Sequence, residues 1–176
     1  MNIFKNFFSY FDSISHEIKL MNIKACGIFS ALFLFSGIIT WILSGKADEL
    51  VVFLIAPRAA LPLPYAYILW AIFFAFTGMI LGGILFGCEK FKRQRAYKAA
   101  IFIVLMQLFS LCVYPMFFSV ASPLLSFICC LVALMFCILT IMASIKAYAL
   151  WTLCLFINFL WLLYNSYVSL AFVFVN

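Results

Sequence analysis

The chain has 176 residues, 69% of them hydrophobic and 9% charged, with a net charge of +6 and a mean hydropathy of +1.27. A water-soluble domain cannot carry that composition, because its surface would have to be built from side chains that water rejects. The composition predicts an all-α integral membrane protein, and its basic excess reads as a topology and lipid-headgroup signal rather than a footprint for nucleic acid.

Residues 1–20 set Ile3, Phe4, Phe7, Phe8, Phe11, Ile14 and Ile18 on a three-to-four spacing, with Lys5, Asp12, Ser13, His16, Glu17 and Lys19 between them. This predicts an amphipathic segment in the cytoplasmic interface. Residues 21–176 then form one transmembrane domain. Crossing roughly 30 Å of hydrocarbon takes about 20 apolar residues. Five stretches without Asp, Glu, Lys or Arg are long enough: 25–43, 65–87, 99–119, 123–145 and 148–173. The short connections after the second, third and fourth spans predict antiparallel neighbours.

The first span holds Gly27, Ser30, Ala31, Ser36 and Gly37, small residues that let helices approach, and Trp41 as an interfacial anchor. The connection after it, VVFLIAPRAALPLP over 51–64, has Arg58 as its only charge. Loops between spans are normally polar, so this one is expected to lie as a flap on the end of the bundle. In the second span Gly78, Gly82, Gly83 and Gly87 form two G-x-x-x-G pairs. Such pairs serve either as packing grooves within a chain or as the face of a homodimer.

The basic connection CEKFKRQRAYK leads into the third span, which places Gln107 and Ser110 near mid-membrane and then Tyr114-Pro115. A proline so deep is expected to kink the helix beside a cavity. Ser122-Pro123 has the form of an N-cap and first-turn proline for the fourth span. In the fifth, Asn158, Trp161 and Asn165 share a face, with Tyr164 and Tyr167 nearby. Buried amides seldom face lipid, so this face is expected to look into the bundle.

Lys5, Lys19, Lys24, Lys90, Lys92, Arg93, Arg95, Lys98 and Lys146 fall on one side of a five-span topology, against Lys46 and Arg58 on the other. The imbalance predicts a cytoplasmic N-terminus and an outer C-terminus, and with no transit peptide in view it favours a bacterial plasma membrane. His16 is the single histidine, and the seven cysteines show no C-x-x-C spacing. No metal, cofactor or catalytic constellation is expected.

These residues resemble the tryptophan-rich sensory protein family, also called the translocator protein or TspO/MBR family. Its loop and second helix carry the pattern K-P-x-W-x-P-P-x-W-x-F-x-x-V-W-x-x-x-Y-x-x-x-G. Pro57, Pro62, Trp70, Phe74 and Gly78 fall in that register; Val113-Tyr114-Pro115-Met116-Phe117-Phe118-Ser119 parallels its third-helix W-[SP]-P-L-F-F-G, and Trp161 the tryptophan of its fifth-helix P-Y-L-x-W. Ala56 stands where the loop lysine is expected, Pro64 where a tryptophan is, Ser110 where an asparagine is, and Ile157-Asn158 where Pro-Tyr is.

The resemblance implies a five-helix bundle capped by the first loop, with an internal pocket for flat hydrophobic molecules such as porphyrins, and sterols in some members. The site it implies comprises Pro57, Arg58, Trp70, Phe74, Gly78, Tyr114, Pro115, Asn158 and Trp161. Trp70, Phe74, Tyr114 and Trp161 would stack on the ring, and Arg58 would replace the loop lysine opposite a propionate. Photochemical porphyrin breakdown, reported for some members, would fall to Trp70 and Trp161. Two other readings stay open: the six-span substrate-binding subunit of a vitamin importer, and a structural membrane protein with no ligand.

Overall fold

The computed structural model describes residues 12–44, 55–87, 93–118, 122–145 and 147–176, without the side chains of Leu43, Leu63, Arg93 and 114–118. These residues form six helices and no strand: α1 (12–20), α2 (Ile23–Ser44), α3 (Leu63–Phe86), α4 (Arg93–Phe118), α5 (Pro123–Ser144) and α6 (Ala149–Val175). The last five are each long and apolar enough to cross a membrane. The chain is therefore a multi-pass membrane protein built as a five-helix bundle. The six-span alternative needed a helix over 51–63, but the described part of that stretch, 55–62, is a loop with a turn at Pro57–Ala60.

The starts of α3 to α6 have local causes. Ser122 Oγ accepts the Leu125 N–H at 3.3 Å and Pro123 follows at once, as the Ser-Pro pair predicts for α5. α3 opens on Pro62, whose carbonyl takes the N–H groups of Tyr65 at 3.0 Å and Ala66 at 3.1 Å, and Pro64 needs no donor in the first turn. α4 starts six residues before the apolar stretch that begins at 99. Residues 93–98, RQRAYK, are good helix formers, so the described part of the basic connection is helix, with Arg95, Tyr97 and Lys98 exposed on it.

The start of α6 draws on α1. Glu17, one of the polar residues set between the apolar ones, is buried and caps α6, with Oε1 accepting the Ala149 N–H at 2.7 Å and Oε2 the Leu150 N–H at 3.0 Å. Ser13 Oγ donates to Oε1 at 3.5 Å. Orphan N–H groups at a helix start attract a carboxylate, and Tyr148 supplies no side-chain cap of its own. The aromatic part of the predicted interfacial segment, 1–11, lies outside the described residues.

α2 packs along α3, α4 along α5 and α5 along α6, while α3 also touches α4 and α6, and α2 touches α4. The ring order is α2, α3, α6, α5, α4. α4 and α5, and α5 and α6, adjoin as expected, whereas α3 and α4 are not neighbours in the ring and touch only across it. α3 is the inner wall, with half of its span buried against 17% for α2.

Its glycines set the spacing. A methyl at Gly78 would strike the Phe29 carbonyl oxygen of α2, and one at Gly82 would stand 2.8 Å from that of Ala25. Gly83, on another side of α3, leaves room for the ring of Trp151 from α6. Gly78, Gly82 and Gly83 are thus used inside the chain. Gly78, assigned to the ligand site, stands against a helix backbone and is not among the residues that line the cavity described below.

One buried cluster joins Ile80, Ile84, Ile103, Met106, Cys137 and Leu155, and another joins Trp70, Phe74, Val113, Cys129, Cys130 and Phe172. Leu32, Phe35, Ile72, Leu108, Leu131 and Leu160 point outward, as lipid requires. Because the obstacle at Gly78 is backbone, Gly78→Ala is expected to cost about 1–3 kcal/mol. Gly27 has open space around it, so Gly27→Ala should be neutral or stabilising by up to about 1 kcal/mol. Thermal unfolding of the two variants in detergent checks this; equal midpoints would contradict the close approach.

Candidate ligand pocket

Buried polar groups between spans need partners from another helix or from their own turn. Most Ser and Thr side chains here choose the second course: Thr40, Ser44, Thr140 and Ser166 each donate to the carbonyl four residues back. Asn158 cannot do so fully. Its Nδ2 donates to Thr77 Oγ1 at 2.8 Å, and Thr77 donates on to the Phe73 carbonyl at 2.7 Å. Both side chains are buried, so this chain ties α6 to α3 inside the membrane.

Around this link lies a cavity of about 20 Å³, lined on α3 by Trp70, Phe73, Phe74 and Thr77, on α4 by Met106, Gln107 and Ser110, and on α6 by Asn158, Trp161 and Leu162. Its aromatic side is ordered. Phe73 and Trp161 lie parallel, with centroids 4.6 Å apart and planes 1° from each other, and Trp161 continues to Tyr164 at 5.6 Å and 26°. Trp70 closes the group, 6.2 Å from Trp161 and 5.4 Å from Phe74. Spacings of this kind are the favoured offset and tilted arrangements of aromatic pairs.

The polar side is less complete. Gln107 is 5% exposed, and its Nε2 has no hydrogen-bond partner among the described residues; nor has Trp161 Nε1. Both side chains line the cavity.

The loop after α2 covers the same part of the bundle. Ala60 packs on the cluster that holds Trp70 and Phe74. Tyr164 donates its hydroxyl to the Ala59 carbonyl at 2.8 Å. Asn176 grips Ile55 twice, accepting its N–H at 2.8 Å and donating to its carbonyl at 3.2 Å. The described part of the predicted flap is therefore latched to α6.

Of the residues assigned to the site, Trp70, Phe74, Asn158 and Trp161 line this one cavity. Arg58 and Pro57 sit in the loop's turn and do not line the cavity, and Arg58 is exposed. α4 runs unbroken through Tyr114 and Pro115; their side chains, assigned to the site, lie outside the described residues. On the polar face of α6, Asn165 turns back to the Trp161 carbonyl at 2.8 Å and Tyr167 faces outward. Phe73, Thr77, Met106, Gln107, Ser110 and Leu162 join the site without having been assigned to it. Gln107 and Ser110, three residues apart in an apolar span, were the signal that could have placed them.

No group of three or more His, Cys, Asp or Glu stands together as metal ligands among the described residues. Among them Cys130 and Cys137 pack as small buried residues, with Cys137 Sγ 3.7 Å from the Leu155 carbonyl. No family model matches the chain. No curated protein matches it.

A double-mutant cycle on Asn158→Leu and Thr77→Val, read by unfolding in detergent, should return a coupling of about 0.6–1.7 kcal/mol. Additive losses would mean that the two side chains do not act together.

Proposed function

We propose that this protein binds a flat, apolar molecule of the porphyrin type between α3, α4 and α6, beneath the loop at 55–62, as a divergent relative of the TspO/MBR family. The observation that carries the reading is the convergence of Trp70, Phe73, Phe74 and Trp161 on an internal cavity with a buried amide at its back. A planar ring gains there from stacking, at about 0.5–1.5 kcal/mol per aromatic pair beyond the burial of area.

At about 20 Å³ the cavity admits one water-sized group. A tetrapyrrole therefore enters by separating Phe73 from Trp161 and taking the place of one ring in the stack. The latch formed by Tyr164 and Asn176 has to loosen for that to happen, which makes the loop the gate. Arg58 stands exposed on this loop, where a propionate reaching out of the bundle meets it. Sensing, regulation and transport all fit such a device, in a bacterial plasma membrane with the N-terminus inside. A sterol-like ligand fits less well because its puckered rings cannot stack. A pair of these chains in the membrane is compatible with the reading, although Gly78, Gly82 and Gly83 do not supply the face for it.

The small volume also favours a second reading, a structural membrane protein whose aromatic cluster is packing alone. Tryptophan fluorescence separates the two. Protoporphyrin IX should quench wild-type protein saturably, Trp161→Phe should weaken the response at least several-fold, and Phe73→Ala should strengthen binding by opening the stack. Quenching without saturation, alike in all three proteins, would leave the structural reading.

A further inference from the structure

We infer that the pocket ends in a notch for a hydrogen-bond acceptor oxygen, so that the favoured ligand is a flat apolar molecule carrying a carbonyl group on its edge. The inference rests on the pocket reading above and adds the chemistry that selects among flat ligands. In this part of the membrane-spanning bundle two N–H donors, Gln107 Nε2 and Trp161 Nε1, are buried without partners among the described residues. They come from different helices, α4 and α6, and line one cavity. Such groups cost free energy when left unpaired in a low-dielectric interior, more than a satisfied pair gains, and native structures retain them mainly where something else completes them.

Both groups are donors, so what completes them is an acceptor. The Asn158 amide nitrogen gives one of its two N–H groups to Thr77, at the back of the same cavity. The cavity's room for one water-sized group matches an oxygen atom at the end of a C=O bond. No Asp, Glu, Lys, Arg or His lines the cavity, so the oxygen it accepts belongs to a neutral group. A carboxylate would bring an uncompensated charge. A carbonyl can be approached by both N–H groups at once, through its two lone pairs, while the ring that bears it lies against Phe73 and Trp161.

The same chemistry is open to a water molecule and to a ligand's carbonyl, and paired probes tell them apart. Fluorenone and fluorene have the same three fused rings and differ at one edge, where the ketone oxygen of the first is a methylene in the second. Binding of each to purified wild-type protein and to Gln107→Leu is measured by equilibrium dialysis in detergent, with protein-free micelles as blank. Wild type should prefer fluorenone by about fivefold, the worth of one to two neutral hydrogen bonds. Gln107→Leu should bind fluorene as well as wild type does and lose most of the preference.

The infrared carbonyl stretch of ¹³C-labelled fluorenone gives an independent readout. It should move to lower frequency on wild-type protein and return toward its value in micelles on Gln107→Leu. Equal binding of the two probes to wild type would overturn the notch and leave the pocket standing, because water would then hold the donors against any ligand. A preference that survives in Gln107→Leu would overturn the assignment to this site. If neither probe binds, the notch falls as a selector of flat carbonyl compounds, while saturable quenching by protoporphyrin IX decides the pocket reading separately.

Discussion

Close approach along α3 is the constraint on which the bundle depends. In a bilayer the lipid is as apolar as the side chains, so helices gain little from burying leucine against leucine and associate through tight packing and polar contacts. α3 provides the tight packing, with Gly78 and Gly82 against the backbone of α2 and Gly83 against the ring of Trp151. The polar contact lies beside it, where Thr77 receives Asn158. Gly78 and Thr77 are adjacent in sequence and face different partners, so one turn of α3 fixes the positions of both α2 and α6.

That geometry places the pocket. With α6 held against α3 at Thr77, the side chains one turn further toward the loop, Phe73 and Trp161, are brought face to face, and Trp70 and Phe74 complete the wall. α4 meets α3 over a shorter stretch than its neighbours pack, and Gln107 and Ser110 line the cavity there. The pocket thus lies where α3 has only limited contact with α4 and α6. The loop's anchors are Tyr164 of α6 and Asn176 just past its end, the same helix that carries Trp161 and Asn158, so movement of α6 would act on the loop and the aromatic stack together.

The five spans were legible because crossing a bilayer imposes a length and forbids charge, and both can be read from the chain without knowing what packs on what. The beginning of α4 was not, because the residues that make a basic connection are also good helix formers. Asn158 announced itself, since an amide in a span needs a partner. Thr77 did not, because a threonine can satisfy itself on its own helix, as Thr40 and Thr140 do. Glu17 was hidden for a different reason: its partners are backbone N–H groups more than a hundred residues away, and no periodicity reports that. Gly78 was placed in the site through register with a family pattern, and register alone says which residue, not which way it faces; Arg58 was placed there as the one charge of the flap, which says nothing of where it points.

The claim that the aromatic cluster between α3, α4 and α6 is a binding pocket is tested most directly by photolabelling. The protein, reconstituted in nanodiscs, is irradiated with a diazirine derivative of protoporphyrin, and labelled residues are mapped by mass spectrometry with and without excess unlabelled protoporphyrin IX. The account predicts labels concentrated at 70–77, 106–110 and 158–162 and removed by the competitor. Labels on the lipid-facing side chains of α5, such as Leu124, Ile128 and Leu131, that persist under competition would contradict it.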